Sequence, residues 1–200
     1  MLDMKKTLIA LFLGLQVCVS FAQTTADSSK HLTFKGVPLD GPLDQYVSKM
    51  KLNGFKHLGT EDGVAKLQGD FAGYKDCYVG VSTLKQKDLV HNIGVRFPAK
   101  DTWSTLSGNY LDLKQMLTEK YGNPSEVVEK FDTQSQPKDD GSKMYEVKFD
   151  RCKYYSIWKT DKGEIQLSID HKSVISCFVK LAYFDKINGA AIKKQALDDL

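Results

Sequence analysis

Residues 160–184 read TDKGEIQLSIDHKSVISCFVKLAYF, and this stretch decides the fold class. It opens on a Thr-Asp-Lys-Gly turn, after which Ile165, Leu167 and Ile169 alternate with more polar residues. Every second residue from 175 to 183 is again apolar. Because successive side chains of a strand point to opposite faces, this period of two predicts antiparallel strands that bury one face and are joined by short turns.

The rest of the chain divides into helices and further strands by the same reading of apolar spacing. One amphipathic helix starts at Leu43, and a second starts near Trp103 and ends at Gly122. Residues 133–143 are polar and predict an exposed, mobile loop, and residues 188–200 predict a short C-terminal helix or tail. The predicted strands lie at 31–35, 55–58, 64–71, 77–84, 90–97, 126–131, 145–149, 153–160, 164–170 and 174–184.

The order of these elements is a helix followed by antiparallel strands, and it occurs twice. Strand runs joined by short turns predict an α+β fold, in which an antiparallel sheet carries helices on one face. We expect a single domain at 31–187, built from two similar halves at about 36–98 and 101–186. No Pro-rich or Ser-rich linker separates the halves, which favours a shared core.

Four short phrases carry a resemblance to known proteins. They are FKGVPLDG at 34–41, GDFAGY at 69–74, KYGNP at 120–124 and WKTDKGEI at 158–165. With these phrases the chain resembles small exported proteins of unassigned function from Bacteroidetes-type bacteria. The doubled order of helix and sheet also resembles the architecture of the β-lactamase inhibitor proteins. Both resemblances imply a fold, and neither brings catalytic residues with it.

The N-terminus is typical of a cleavable export signal. Two lysines precede an apolar run, and Ser20-Phe21-Ala22 offers the small residues that a signal peptidase needs. We therefore predict a signal peptide at 1–22 and a disordered segment at 23–30. The exported protein would be periplasmic or extracellular. It would keep no transmembrane segment after cleavage, because no second apolar run follows.

Net charge limits the classes of partner. Without residues 1–22, which contain Lys5, Lys6 and Asp3, the chain has 26 basic and 24 acidic side chains. So small an excess argues against nucleic acid as a partner. Only Arg96 and Arg151 are arginines, so an arginine-lined anion site is not expected.

Catalytic and metal-binding signatures are not found in the sequence, and we predict no catalytic residue, no metal site and no cofactor. The four histidines show no metal-ligand spacing, and the carboxylate pairs at 139–140 and 198–199 are predicted to be solvated turns. Cys77, Cys152 and Cys177 are expected to be unbridged core thiols. One bridge with one free thiol is the open alternative.

Aromatic residues are the one feature that suggests a binding surface. Tyr145 and Phe149 precede Tyr154, Tyr155 and Trp158 along the chain. Two successive tyrosines on a strand face opposite ways, so at least one of them leaves the core side. We predict Tyr154, Tyr155 and Trp158 as binding residues for a protein or glycan of the cell envelope. Ordinary burial of these rings is the alternative.

The leading functional hypothesis is a non-enzymatic binding or accessory module of the bacterial cell envelope. It rests on the predicted export and on the missing catalytic signatures. Two alternatives stay open. One is a small envelope hydrolase whose active-site residues are dispersed along the chain, and the other is a structural subunit of an envelope complex.

Overall fold

The quoted stretch forms the central hairpin of the structure, a computed structural model that describes residues 30–83 and 87–198. The predicted signal peptide at 1–22 and nearly all of the segment at 23–30 lie outside the described residues. The strands are β1 (Thr33–Phe34), β2 (Val37–Pro38), β3 (Lys56–Glu61), β4 (Val64–Phe71), β5 (Tyr74–Thr83), β6 (Val90–Arg96), β7 (Glu126–Phe131), β8 (Cys152–Lys159), β9 (Gly163–Lys172) and β10 (Ser176–Asp185). The helices are α1 (Leu43–Leu52), α2 (Trp103–Tyr121), α3 (Asp140–Lys148) and α4 (Lys186–Asp198).

Strands β9 and β10 pair in the register that the alternating residues require. Leu181 lies opposite Leu167 and Tyr183 lies opposite Ile165, so the apolar side chains of both strands share one face. All four of these residues are buried. The predicted odd-numbered core face of this hairpin is confirmed.

The main sheet has eight antiparallel strands in the order β3-β4-β5-β6-β10-β9-β8-β7, and β1 pairs with β2 in a separate small sheet. The predicted α+β class, with helices packed against an antiparallel sheet, is confirmed. Strands β3–β6 follow α1 and strands β7–β10 follow α2, with α3 inserted between β7 and β8, and β6 pairs with β10 at the centre. Both halves contribute to one hydrophobic core.

Helices α1 and α2 cover one face of the sheet because their apolar stripes match its buried side chains. Tyr46 and Met50 are the fully buried residues of α1, and Leu106, Tyr110 and Leu113 are those of α2. The hydroxyl groups of Tyr110 and Ser156 hydrogen-bond at 2.7 Å, which ties α2 to β8 inside the core. No helix in the described part of the chain is both long and apolar enough to cross a membrane.

The segment 140–148 is helix α3, so the strand predicted at 145–149 is wrong and the predicted loop at 133–143 ends at Asp139. Met144 and Val147, three residues apart, are the buried positions of this helix. Asp139 accepts a hydrogen bond from the Ser142 backbone N–H, and the Ser142 hydroxyl faces the Asp139 backbone N–H at 3.3 Å. This reciprocal cap and the helical spacing outweigh the alternation of aromatic and apolar residues at 145–149.

Candidate functional site

The sheet separates the three predicted binding residues. Tyr154 faces the helices, where its ring centroid lies 4.9 Å from that of Trp103 and 5.6 Å from that of Phe131. Trp158 shares this face, is 1% exposed and donates from Nε1 to the Gly122 carbonyl at 2.9 Å. This placement corrects the prediction of one exposed aromatic surface, because residues 154 and 158 have the strand parity of the core face.

Tyr155 points to the opposite side of the sheet, which we call the open face because α1 and α2 do not cover it. Its hydroxyl donates to Glu126 Oε1 at 2.8 Å, and this hydrogen bond raises the pKa of the Tyr155 phenol. Tyr155 lies in the same cross-strand row as Ser168, Lys180 and Arg96. Three strand spacings separate it from Arg96, a distance of about 14 Å.

A depression of about 500 Å³ lies on the open face around Arg96. Its floor is formed by Gly80 on β5 and Gly94 on β6, which lie directly opposite each other. A Cβ atom at Gly94 would meet no atom within 4 Å, and one at Gly80 would make only ordinary contacts of 3.7 Å or more. Neither backbone has a positive φ. The glycines are therefore required by neither conformation nor packing, and they leave the floor without side chains.

The wall of the depression is a stack of Arg96 with two aromatic rings. The guanidinium carbon of Arg96 lies 4.7 Å from the ring centroid of Tyr78 and 5.2 Å from that of Phe178. Tyr78 faces Arg96 across β5 and β6, and Phe178 lies diagonally across on β10. Tyr78 is 44% exposed, whereas Phe178 is 6% exposed. Cation–π attraction thus holds the arginine against the sheet.

Charges at the rim of this Arg96 depression are mostly positive. Lys180 Nζ lies 3.4 Å from Asp170 Oδ2, and Lys66 Nζ lies 2.7 Å from Glu61 Oε2. Within residues 30–83 and 87–198, Arg96 and Lys172 have no carboxylate partner and no side-chain hydrogen bond. The depression therefore offers a guanidinium and an ammonium group to a ligand, next to an apolar wall and an exposed main-chain floor.

Nucleophile and metal chemistry gain no support from the described residues. They contain no group of three or more His, Cys, Asp or Glu side chains that could hold a metal ion. Cys77, Cys152 and Cys177 are free, which confirms the prediction of unbridged thiols. Burial raises the pKa of Cys77 to about 11 and that of Cys152 to about 12, so both remain protonated and weakly nucleophilic at neutral pH.

The carboxylate pair at 139–140 has a structural role in place of the predicted solvated turn. Asp139 caps α3, as described above. Asp140 accepts hydrogen bonds from the backbone N–H groups of Trp103 and Ser104, both at 2.8 Å, and so caps the first turn of α2. These backbone donors lower the pKa of both carboxyl groups. The two helices are thereby joined at their N-termini.

The residues of the depression were missed in the sequence, although two signals pointed to them. Ile93 and Val95 predict the core face of β6, so Gly94 and Arg96 had to lie on the other face. Glycine within a strand often marks a place where another group approaches closely. The sequence argued against an arginine-lined anion site because it has only two arginines, and one of these two, Arg96, lines the depression.

Comparison with known proteins gives no match. No protein-family model, no curated protein and no solved structure is significantly similar to this chain.

Proposed function

We propose that this chain is a non-enzymatic binding module of the bacterial cell envelope and that it holds its partner in the Arg96 depression on the open face. Residence outside the cytoplasm rests on the signal-peptide pattern at 1–22. The observation that carries the binding site is the Tyr78–Arg96–Phe178 stack beside the floor of Gly80 and Gly94.

Two physical arguments support a binding role for this surface. Glycine in a strand interior destabilises a protein by about 0.5–1 kcal/mol relative to alanine, so two paired glycines with open space above them are unfavourable for folding alone. An exposed tyrosine beside an arginine is also the composition that protein interfaces favour. Both features occur in one depression, whereas the thiols and carboxylates described above have structural surroundings.

The experiment is capture of partners from periplasm and culture supernatant with purified protein. Gly94→Leu places an apolar side chain in the depression, and its Cβ fits because no atom lies within 4 Å of that position. Gln166→Leu is the matched control, since residue 166 lies in the same cross-strand row, two strands or about 10 Å from Gly94. We expect a stoichiometric partner with wild type and Gln166→Leu and none with Gly94→Leu. Equal capture by the Gly94→Leu variant, or no partner with wild type, would refute the proposal.

The structural-subunit alternative is favoured by a second exposed surface. Tyr145 on α3 and Phe149, which directly follows this helix, are 52% and 45% exposed, and their ring centroids lie 4.4 Å apart. Arg151 lies over both rings. If Tyr145→Ser abolishes partner capture and Gly94→Leu does not, the protein contacts its neighbours through α3.

A further inference from the structure

We infer that the Arg96 depression binds an extended acidic segment of a partner protein, with an aspartate or glutamate carboxylate on the Arg96 guanidinium. This inference rests on the proposed function and specifies its ligand. It is argued from the unused hydrogen-bond donors of Arg96, from the local charge and from the shape of the floor.

The guanidinium of Arg96 has hydrogen-bond donors that it does not use within the described residues. A guanidinium carries five N–H groups in a planar fork that matches the two oxygens of a carboxylate. The contacts with Tyr78 and Phe178 orient this group, but the guanidinium of Arg96 makes no hydrogen bond with any residue in 30–83 and 87–198. An arginine that is held against two rings and keeps its donors is preorganised for a planar, two-oxygen acceptor.

The charge around the depression complements an anion, although the chain as a whole is nearly neutral. Four basic residues line it, Lys66, Arg96, Lys172 and Lys180, but Glu61 pairs with Lys66 and Asp170 with Lys180, which leaves Arg96 and Lys172 as the local excess. The formal charge of the whole chain is only +3. A local excess of this size, with only one arginine, suits one or two carboxylates better than a polyanion, which needs many phosphate contacts.

The floor favours an extended chain as the carrier of the carboxylate. Gly80, Gly94 and Ala182 occupy directly opposed positions on three adjacent strands, β5, β6 and β10. Ala182 is only 4% exposed and does not line the depression, so the accessible strip consists of the two glycines, about 5 Å across, which is the width that one extended main chain needs. Such a segment would lie beside the stack, so that its acidic side chain reaches Arg96 and its apolar neighbours contact Tyr78.

The test is affinity selection of a displayed library of random dodecapeptides on purified protein. We expect the enriched peptides to share an aspartate or glutamate at one position, flanked by small or apolar residues. A synthetic peptide of the enriched sequence should bind about 10- to 100-fold more weakly when that acid is replaced by its amide. Arg96→Gln should bind the acid and amide peptides equally. Lys153→Gln is the control, because Lys153 is an exposed cation on β8 that belongs neither to the depression nor to the surface of Tyr145 and Phe149.

The outcomes separate the inference from the proposed function. The enriched peptides could lack an acidic residue and still lose their binding in Gly94→Leu. This result would refute the inference of a carboxylate ligand and would support the depression as the binding site. Equal acid preference in Arg96→Gln would also overturn it. Binding that falls equally in Arg96→Gln and Lys172→Gln, for any acidic peptide, would indicate unspecific attraction and overturn it too. If every enriched peptide binds Gly94→Leu as tightly as it binds wild type, both the inference and the proposed site are refuted. Circular dichroism and the thermal midpoint must show that each variant is folded.

Discussion

Replacing Asn188 with alanine tests how the C-terminal helix α4 is held on the sheet. Asn188 is the one buried residue of α4 between Lys186 and Asp198. Its Nδ2 donates to the carbonyl oxygens of Leu39 at 2.9 Å and of Val90 at 2.8 Å. A single side-chain amide therefore connects α4 to the segment before α1 and to the start of β6.

The magnitude follows from the two carbonyl groups that the substitution leaves without a donor. Leu39 and Val90 are both 0% exposed. An unsatisfied buried polar group costs about 1–3 kcal/mol, and at about 1–2 kcal/mol for each carbonyl the docking of α4 should weaken by about 2–4 kcal/mol. Because no other residue of α4 is fully buried, the helix should open locally before the whole domain unfolds.

Hydrogen exchange measured by mass spectrometry on the peptide 186–198 is the assay. At a factor of ten for each 1.4 kcal/mol, the exchange rate should rise by about 30- to 700-fold. Asn188→Asp should raise it at least as much, because a carboxylate cannot donate to either carbonyl. Gly189→Ala is the neighbouring control and should slow exchange slightly, since alanine favours the helix and its Cβ meets no atom within 4 Å. Exchange in Asn188→Ala within threefold of wild type would show that other contacts hold α4.

Three further predictions concern the core, a helix and a histidine. Tyr110→Phe and Ser156→Ala should each destabilise by about 1–3 kcal/mol, and the double variant by clearly less than their sum, in a urea-denaturation cycle. Gly108→Ala should raise the free energy of unfolding by about 0.5–1 kcal/mol, because alanine is favoured over glycine within a helix and its Cβ would meet no atom within 4 Å. The His171 ring nitrogens face the Ser173 carbonyl and Asp150, which raises the His171 pKa. Its stabilisation should be complete below the ordinary pKa of about 6.5 and lost as pH rises through the raised value, and His171→Gln should abolish this pH dependence of the thermal midpoint. The first argument is contradicted if the effects of Tyr110→Phe and Ser156→Ala add up in the double variant. The second is contradicted if Gly108→Ala is less stable than wild type, and the third if His171→Gln keeps the pH dependence of wild type.

The parts of the fold that were predictable are those with a local period. The alternation at 164–184 and the helical stripe from Trp103 need no knowledge of distant residues, and the structure confirms both. Helix α3 was missed because Tyr145, Val147 and Phe149 alternate as in a strand. The buried pair of Met144 and Val147 and the Asp139 cap decide for a helix only when β8 and β9 are in place beside it.

The candidate site depends on pairings that no local pattern contains. Arg96 and Phe178 meet only because β6 pairs with β10, and this pairing joins the two halves of the sheet. A shift of one residue in that register would turn Phe178 to the helix-covered face. Trp158 shares its strand parity with Ser156, and both are buried on the core face, which the serine in the sequence does not indicate.

The two halves of the sheet differ where a ligand would lie, and this difference argues for function over folding. On β8 and β9, the open-face positions that continue the Gly80–Gly94 row carry the side chains of Ile157 and Gln166. On β5 and β6 the same row has glycine at both positions, although a Cβ would fit at each. Selection for stability alone would favour alanine or a β-branched residue there. Such residues lose less conformational entropy on folding than glycine does, and their side chains pack on the strand. The paired glycines are therefore explained most simply by a group that must approach the main chain closely beside Arg96.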